Sequence, residues 1–254
     1  MILNKNTSFY LSRVALSFCL ISCCLTLNAC QMLAARDVDS NGIYQSRTIH
    51  SPDGIGKFYM GREIAKVMGH TAALWLERSS REVEEQPIKL VNALNLKTTD
   101  VVADIGAGTG YLSFRIAQKV PSGKVLAVDI QPEMLDIINS LKEEKGISNV
   151  DPILGTITEP KLPLNRVDLV IMVDAYHEFS HPYEVMQGIV KSLKLGGRVV
   201  LVEYRGENPF IPIKALHKMT QKQVRKEMLA VGLQWRETKS FLPTQHLMVF
   251  ERKS

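Results

Sequence analysis

The sequence has no cysteine after position 30. Cys19, Cys23, Cys24 and Cys30 are the full set, so the rest of the chain can form neither an internal disulfide nor a thiolate metal site. Acidic residues are missing from the first 13 positions, where Lys5 and Arg13 carry the charge. Elsewhere one-sided charge is scarce. Without Lys5 and Arg13 the chain has 29 basic against 26 acidic residues, interleaved along its length, so the formal net charge of +5 does not argue for nucleic acid. Internal repeats and low-complexity tracts are also absent. The full chain is 45% hydrophobic and 22% charged, and the roughly 220 residues beyond its first stretch are enough to bury the core of one α/β domain.

The start of the chain reads as a leader. A basic stretch is followed by the apolar run Val14 to Leu27, which has signal-peptide length and is short of the about 20 residues a membrane-spanning helix needs. The run closes on Leu27-Asn28-Ala29-Cys30, which resembles a bacterial lipobox, with Asn28 a departure from the pattern. That resemblance implies a signal peptide over 1–29, a lipidated Cys30 that holds the protein on a membrane, and a tether over 30–56. Gln31 implies sorting to the outer membrane, facing the periplasm. The alternative is a cytoplasmic or inner-membrane-anchored protein.

Residues 57–97 are expected to form a helical cap: one broken helix over 57–78, split at Gly69-His70, and another over 81–95. From 98 to 254 the pattern changes. Apolar runs at 101–105, 125–130, 167–173 and 199–204 have the length and continuity of strands buried on both faces. Helical stretches at 132–145 and 182–195 lie between them, each with apolar residues on one face. A helix over 220–231 and two strands, 233–240 and 246–252, close the chain. The fold class is α/β, with strands and helices alternating as in βαβ units.

The most informative segment is Asp104-Ile105-Gly106-Ala107-Gly108-Thr109-Gly110, where a strand runs into three alternating glycines and then a helix. The helix start offers unpaired N–H groups, and the glycines let a ligand approach the backbone. A dinucleotide fingerprint G-x-G-x-x-G fails here, since its last glycine would fall on Tyr111 or Ser113. Asp129 ends the next strand and can accept two ribose hydroxyls. A helix cap is its plainer role. Ile130 and Met134 follow it.

The D-x-G-x-G-x-G pattern resembles motif I of class I S-adenosylmethionine (SAM)-dependent methyltransferases, and the chain is most similar to their ubiquinone/menaquinone methyltransferase-like group. The resemblance implies a Rossmann-like, mainly parallel seven-stranded sheet with a C-terminal antiparallel hairpin and an N-terminal helical cap. It implies SAM as cofactor, with Asp104 on the methionine end, Gly106, Gly108 and Gly110 beneath it, Asp129 on the ribose, and Ile130 and Met134 on the adenine. Thr156 stands where the family usually has an acid. In the cap, Tyr59 is expected among the cofactor contacts, and Arg62 and His70 are further candidates to face the pocket. The lack of later cysteines excludes arsenic chemistry on this fold.

After the 167–173 run comes Asp174-Ala175-Tyr176-His177-Glu178-Phe179-Ser180-His181-Pro182. His177 to His181 spell the zinc-protease pattern H-E-x-x-H, but Pro182 disfavours helical geometry at His181, so the two histidines cannot share one helix. No metal is expected. Asp174, Tyr176 and His177 are instead the candidate catalytic residues, at the carboxyl edge of the sheet beside the glycine loop. Glu203, Tyr204 and Arg205 are expected to border the substrate. The expected activity is methyl transfer from SAM to a small-molecule or lipid-like acceptor. A SAM-binding module without catalysis and a nicotinamide oxidoreductase are the alternatives.

Overall fold

The structure, a computed structural model, describes residues 36–39 and 41–252. The expected signal peptide, Cys30 and the first part of the tether lie outside the described residues. Among the described residues no helix is long and apolar enough to cross a membrane.

The centre is a seven-stranded sheet in the order β10-β11-β9-β8-β5-β6-β7. Its strands are β5 (Val101–Ile105), β6 (Lys124–Asp129), β7 (Val150–Leu154), β8 (Val167–Val173), β9 (Leu193–Tyr204), β10 (Leu233–Lys239) and β11 (Gln245–Arg252). β7, β6, β5, β8 and β9 run parallel, and β11 and β10 add an antiparallel hairpin beside β9. The four apolar runs of the sequence are the inner strands, whose side chains are covered on both faces. One face packs helices α3 (Pro87–Ala93), α4 (Tyr111–Ala117) and α5 (Pro132–Lys145) through Leu90, Phe114 and Ile138. The other packs α6 (Pro182–Ser192) and α7 (Gln221–Ala230) through Met186, Ile189 and Met228. Two shorter helices, α1 (Ala73–Leu76) and α2 (Arg81–Glu84), precede α3.

Local chemistry sets the ends of these elements. Pro132 opens α5, where its missing N–H has no partner to lose, and Gly146 closes it in the left-handed region. The Thr220 side chain caps α7 by accepting from the Gln223 N–H at 3.2 Å. Among the described residues β7 is an edge strand that pairs with β6 alone. Its Val150-Asp151-Pro152-Ile153-Leu154 sequence has no continuous apolar run, and an edge tolerates Pro152 because only one side needs ladder hydrogen bonds.

The N-terminal region corrects the expected boundaries. Residues 36–65 form a four-stranded antiparallel sheet of β1 (Arg36–Val38), β2 (Tyr44–Arg47), β3 (Gly54–Tyr59) and β4 (Arg62–Ala65). The segment expected as tether thus contributes strands, and 57–65 is a hairpin rather than helix. Tyr59 pairs with Arg62 across the two-residue loop Met60-Gly61, both with positive φ (47° and 98°). That is the backbone twist tight hairpins favour. Tyr44, Tyr59 and Ile64 bury one face of this sheet against Tyr183 of α6. The cap is helical only after residue 70, and in short pieces.

Candidate functional site

A cleft of about 630 Å³ opens above the carboxyl ends of β5, β6 and β8. Open parallel sheets bind ligands there because strand-tip loops diverge. The glycine loop forms its floor. Gly106 has φ of 74° and Gly108 φ of 54°, and a Cβ on either would come within 2.7 Å of a neighbouring side-chain carbon, that of Ala175 or Leu76 respectively. Both positions therefore require glycine for conformation and for close approach. Gly110 does not line the cleft. It precedes α4 in the left-handed region, and a Cβ there would meet Phe114 and Ile138, so its role is packing and the turn.

Two carboxylates face this floor. Asp104, at the tip of β5, is 3% exposed and accepts from the Ser113 hydroxyl at 2.6 Å. Burial pushes its pKa up to about 6, against the lowering influence of Ser113 and Arg81. Asp129, at the tip of β6, accepts the Gly108 N–H at 2.9 Å and the Gln131 N–H at 3.0 Å, one on each oxygen. Burial raises its pKa too, opposed by those backbone N–H groups. Each Asp129 oxygen retains acceptor capacity toward the cleft. Ile130, Met134, Gly155 and Thr156 continue the wall on this side. The Thr156 hydroxyl is engaged within its own turn, accepting the Glu159 N–H at 2.9 Å.

The opposite half of the cleft is lined by Asp174, His177, Glu178, Tyr204, Lys214 and His217. Asp174 holds a left-handed backbone (φ 49°), accepts from Gln245 Nε2 at 2.5 Å, and leaves Oδ1 buried without a partner among the described residues. Burial raises its pKa well above the carboxylate range, with Glu85 and Glu203 adding to the effect. His177 Nδ1 contacts Glu203 Oε2 at 2.7 Å, and its Nε2 lies 3.1 Å from His217 Nδ1.

Like Gly110, the predicted Tyr176 and Tyr59 do not reach the cleft. Tyr176 is fully buried and donates to Glu227 Oε2 at 2.8 Å, because the turn at 176–178 points alternate side chains to core and cleft. Tyr59 is buried in the N-terminal sheet beside Tyr44, with ring centroids 5.5 Å apart. Arg62 is bound to Glu227 instead of facing the pocket, and the His70 side chain points outward beside Glu133. Tyr204 lines the cleft and Glu203 orients His177. Arg205 instead secures the loop between β10 and β11 through the carbonyls of Ser240, Leu242 and Pro243.

The roof is the segment from Val67 to Arg81, whose Val67, Met68, Trp75, Leu76 and Arg81 line the cleft. The Glu178 carboxylate accepts the Met68 N–H at 3.0 Å, and the Gln131 amide bonds both Met68 O (3.1 Å) and the His70 N–H (2.7 Å). Glu77 bonds the Thr109 hydroxyl of the glycine loop. Arg81 is 8% exposed, held by Glu85 (2.6 Å) and the Leu76 carbonyl (3.0 Å), and it brings a cation near Asp104 and Asp174. Sequence reasoning missed Arg81, Gln131 and His217. No local motif marks Arg81 or His217, and Gln131, though next to Ile130, acts through contacts with the distant residues Met68 and His70.

The donor set and shape suit SAM. Small residues form a cradle that a Cβ would fill, and a buried carboxylate lacks a full cationic partner. Comparisons with known proteins agree. A family model described as "Methyltransferase domain" matches residues 96–246. The chain is 32% identical over 111 residues to "Uncharacterized methyltransferase YcgJ" of Bacillus subtilis, covering 43% of each protein. It is 31% identical over 105 residues to "Ubiquinone/menaquinone biosynthesis C-methyltransferase UbiE" of Pseudomonas paraeruginosa, covering 41% of each. The chain thus spans about two fifths of the length of these curated relatives. A solved SAM-dependent methyltransferase from Aquifex aeolicus superposes with a TM-score of 0.69 at 20% identity, over 74% of this chain and all of that one.

Proposed function

Since the chain belongs to the methyltransferase-domain family, we propose that it transfers the methyl group of SAM to a small-molecule or lipid-like acceptor. The single observation that carries this reading is the convergence of Asp104, the Gly106–Gly108 cradle and Asp129 on one cleft. SAM supplies a methyl group already activated by its sulfonium. The protein's part is to hold donor and acceptor in line and to exclude water, which can supply several kcal/mol. On this reading Asp104 takes the ammonium, Arg81 the carboxylate, and Asp129 the pair of ribose hydroxyls. The apolar side chains of Ile130 and Met134 suit an adenine face. His177 and Asp174 border the acceptor half.

Titration of the full chain with SAM, S-adenosylhomocysteine and NAD tests the donor site. SAM-type ligands are expected to bind and NAD is not. Gly108→Val is expected to weaken SAM binding at least about 100-fold, since a branched side chain at positive φ strains the loop and collides with Leu76. Unchanged affinity would move the donor site elsewhere. Label transfer from methyl-labelled SAM to cell-envelope extract then tests the acceptor class.

Anchoring through Cys30 is part of the same proposal, supported by the leader pattern alone. Cys30→Ser is expected to shift the protein out of the membrane fraction and remove any acyl label. Unaltered fractionation would refute lipidation.

A further inference from the structure

Three electron-pair donors meet at the acceptor end of the cleft. His177 Nε2 lies 3.1 Å from His217 Nδ1 and 3.8 Å from Glu178 Oε1, and His217 Nδ1 lies 3.4 Å from the same oxygen. The remaining nitrogen of each ring faces a carboxylate. His177 Nδ1 is 2.7 Å from Glu203 Oε2, and His217 Nε2 is 3.3 Å from Asp53 Oδ2. Those contacts place the ring protons on the outer nitrogens. The inner nitrogens then turn toward each other and toward a carboxylate oxygen, a cluster that either a shared proton or a metal ion would hold together.

We propose that His177, Glu178 and His217 bind a divalent metal ion of the zinc type, with an open position facing the cleft. The triangle has the right size. A point equidistant from the three atoms lies about 2 Å from each, the usual Zn–N and Zn–O length. The edges average close to the about 3.4 Å of tetrahedral ligation at a bond length of about 2.1 Å, above the about 3.0 Å of octahedral. Two histidines and one carboxylate leave a fourth position, the pattern of catalytic rather than structural zinc.

Every ligand also has the outer support that metal sites use. Glu203 and Asp53 hold the rings, and the Met68 N–H holds Glu178 Oε2 at 3.0 Å, which turns Oε1 inward. Lys214 Nζ, 2.5 Å from Asp53 Oδ1, steadies that carboxylate in turn. His181 has no part in the site. Its ring lies against Ser180 and Tyr44, so the zinc-protease spacing of the sequence supplies only its first two residues, and the third ligand comes from 40 positions downstream.

The consequence for catalysis rests on the methyl-transfer reading above. An acceptor hydroxyl on the open position would lose its proton to water at lower pH than in solution. The resulting oxygen lone pair forms the C–O bond as the C–S bond breaks, and its electron pair stays on sulfur. The acceptor class is therefore one with an ionisable hydroxyl.

The test uses the full chain with its four leader cysteines changed to serine, so that thiolates do not compete. After chelation, calorimetric titration with Zn²⁺ is expected to give one ion per chain, and Co²⁺ to give visible bands of four-coordinate nitrogen and oxygen ligation. His217→Ala and Glu178→Gln are expected to weaken Zn²⁺ binding at least about 100-fold, Glu203→Gln about 10- to 100-fold, and His181→Ala not at all. No stoichiometric uptake by the parent overturns the proposal, as does uptake that survives His217→Ala or is lost with His181→Ala. If a variant melts early, the Co²⁺ spectrum of the parent decides, and bands lacking nitrogen ligation refute the site. SAM affinity is measured separately, so a chain that binds metal but no SAM would refute the donor site alone.

Discussion

The cleft floor is built from the tips of adjacent strands β5, β6 and β8, whereas its roof is one excursion of chain between the N-terminal sheet and α3. Floor residues are placed by a hydrogen-bonded ladder, in which Asp104 pairs with Ala127 and Ile171 on either side. Roof residues are placed by side chains of distant origin, from Glu178, Gln131 and Thr109. A ladder fixes geometry before any ligand arrives. A roof held by a few polar contacts can open at modest cost, as segments near ligand sites commonly do.

Arg62 is the joint on which this comparison depends, and its loss has the largest expected effect. From the β3–β4 hairpin it grips buried Glu227 of α7 through Nε (2.7 Å) and Nη2 (3.1 Å) and donates to the His177 carbonyl at 3.1 Å. Glu227 also accepts from Tyr176 and Gln223. Arg62→Ala leaves that carboxylate buried without its cation, which typically costs about 3–5 kcal/mol. Urea unfolding is expected to show a loss of this size. If the loss is under about 1 kcal/mol, the N-terminal sheet is held by apolar packing and the roof is anchored elsewhere.

The same contrast explains what was legible in the sequence. Inner strands announce themselves as continuous apolar runs, and the floor announces itself because Asp104 and three glycines lie within seven residues. β7 escaped because an edge strand needs no such run. The β3–β4 hairpin escaped because its turn is Met60-Gly61, without the Asn or Asp that usually marks one, and because Ile64, Val67 and Met68, at i, i+3 and i+4, also suit a helical face. Tyr176 was misassigned for a related reason. In a one-turn helix, neighbouring side chains diverge, so His177 reaches the cleft while Tyr176 enters the core. His217 and Arg81 were invisible since only the folded chain brings them to the cleft, His217 beside His177 and Arg81 near Asp104.

Asp104 gives the floor a pH signature of intermediate size. Its raised pKa means the native state holds a proton that the unfolded chain releases near pH 4. Stability from this group is therefore fully present below that value and is lost as pH rises through about 6, by about 3 kcal/mol in all. Asp104→Asn is expected to flatten the stability profile between pH 4 and 6 and to stabilise the ligand-free protein at pH 7. Binding runs the other way. A ligand ammonium favours the carboxylate, so SAM affinity is expected to rise up to about tenfold per unit between pH 5 and 6 and to level above 7. In the Asn variant it should be weak and flat. Calorimetric titrations across this range check both, and a parent profile without slope would separate Asp104 from the ligand ammonium.

Gln131 carries the smallest effect and the sharpest comparison, because it touches both surfaces at once. Its N–H supports Asp129 in the floor, while its side-chain amide bonds Met68 and His70 in the roof. Gln131→Ala keeps the backbone contact and removes only the roof bonds, each worth about 0.5–1.5 kcal/mol net. The floor should stay intact, so association with SAM should proceed at the parental rate or faster. Dissociation should quicken, raising Kd about three- to tenfold, and amide exchange should increase across 66–80 with no change at 104–110. Stopped-flow kinetics and exchange mass spectrometry distinguish the two surfaces directly. Faster exchange in the glycine loop as well would mean that floor and roof open together, and the division between a fixed surface and a movable one would fail.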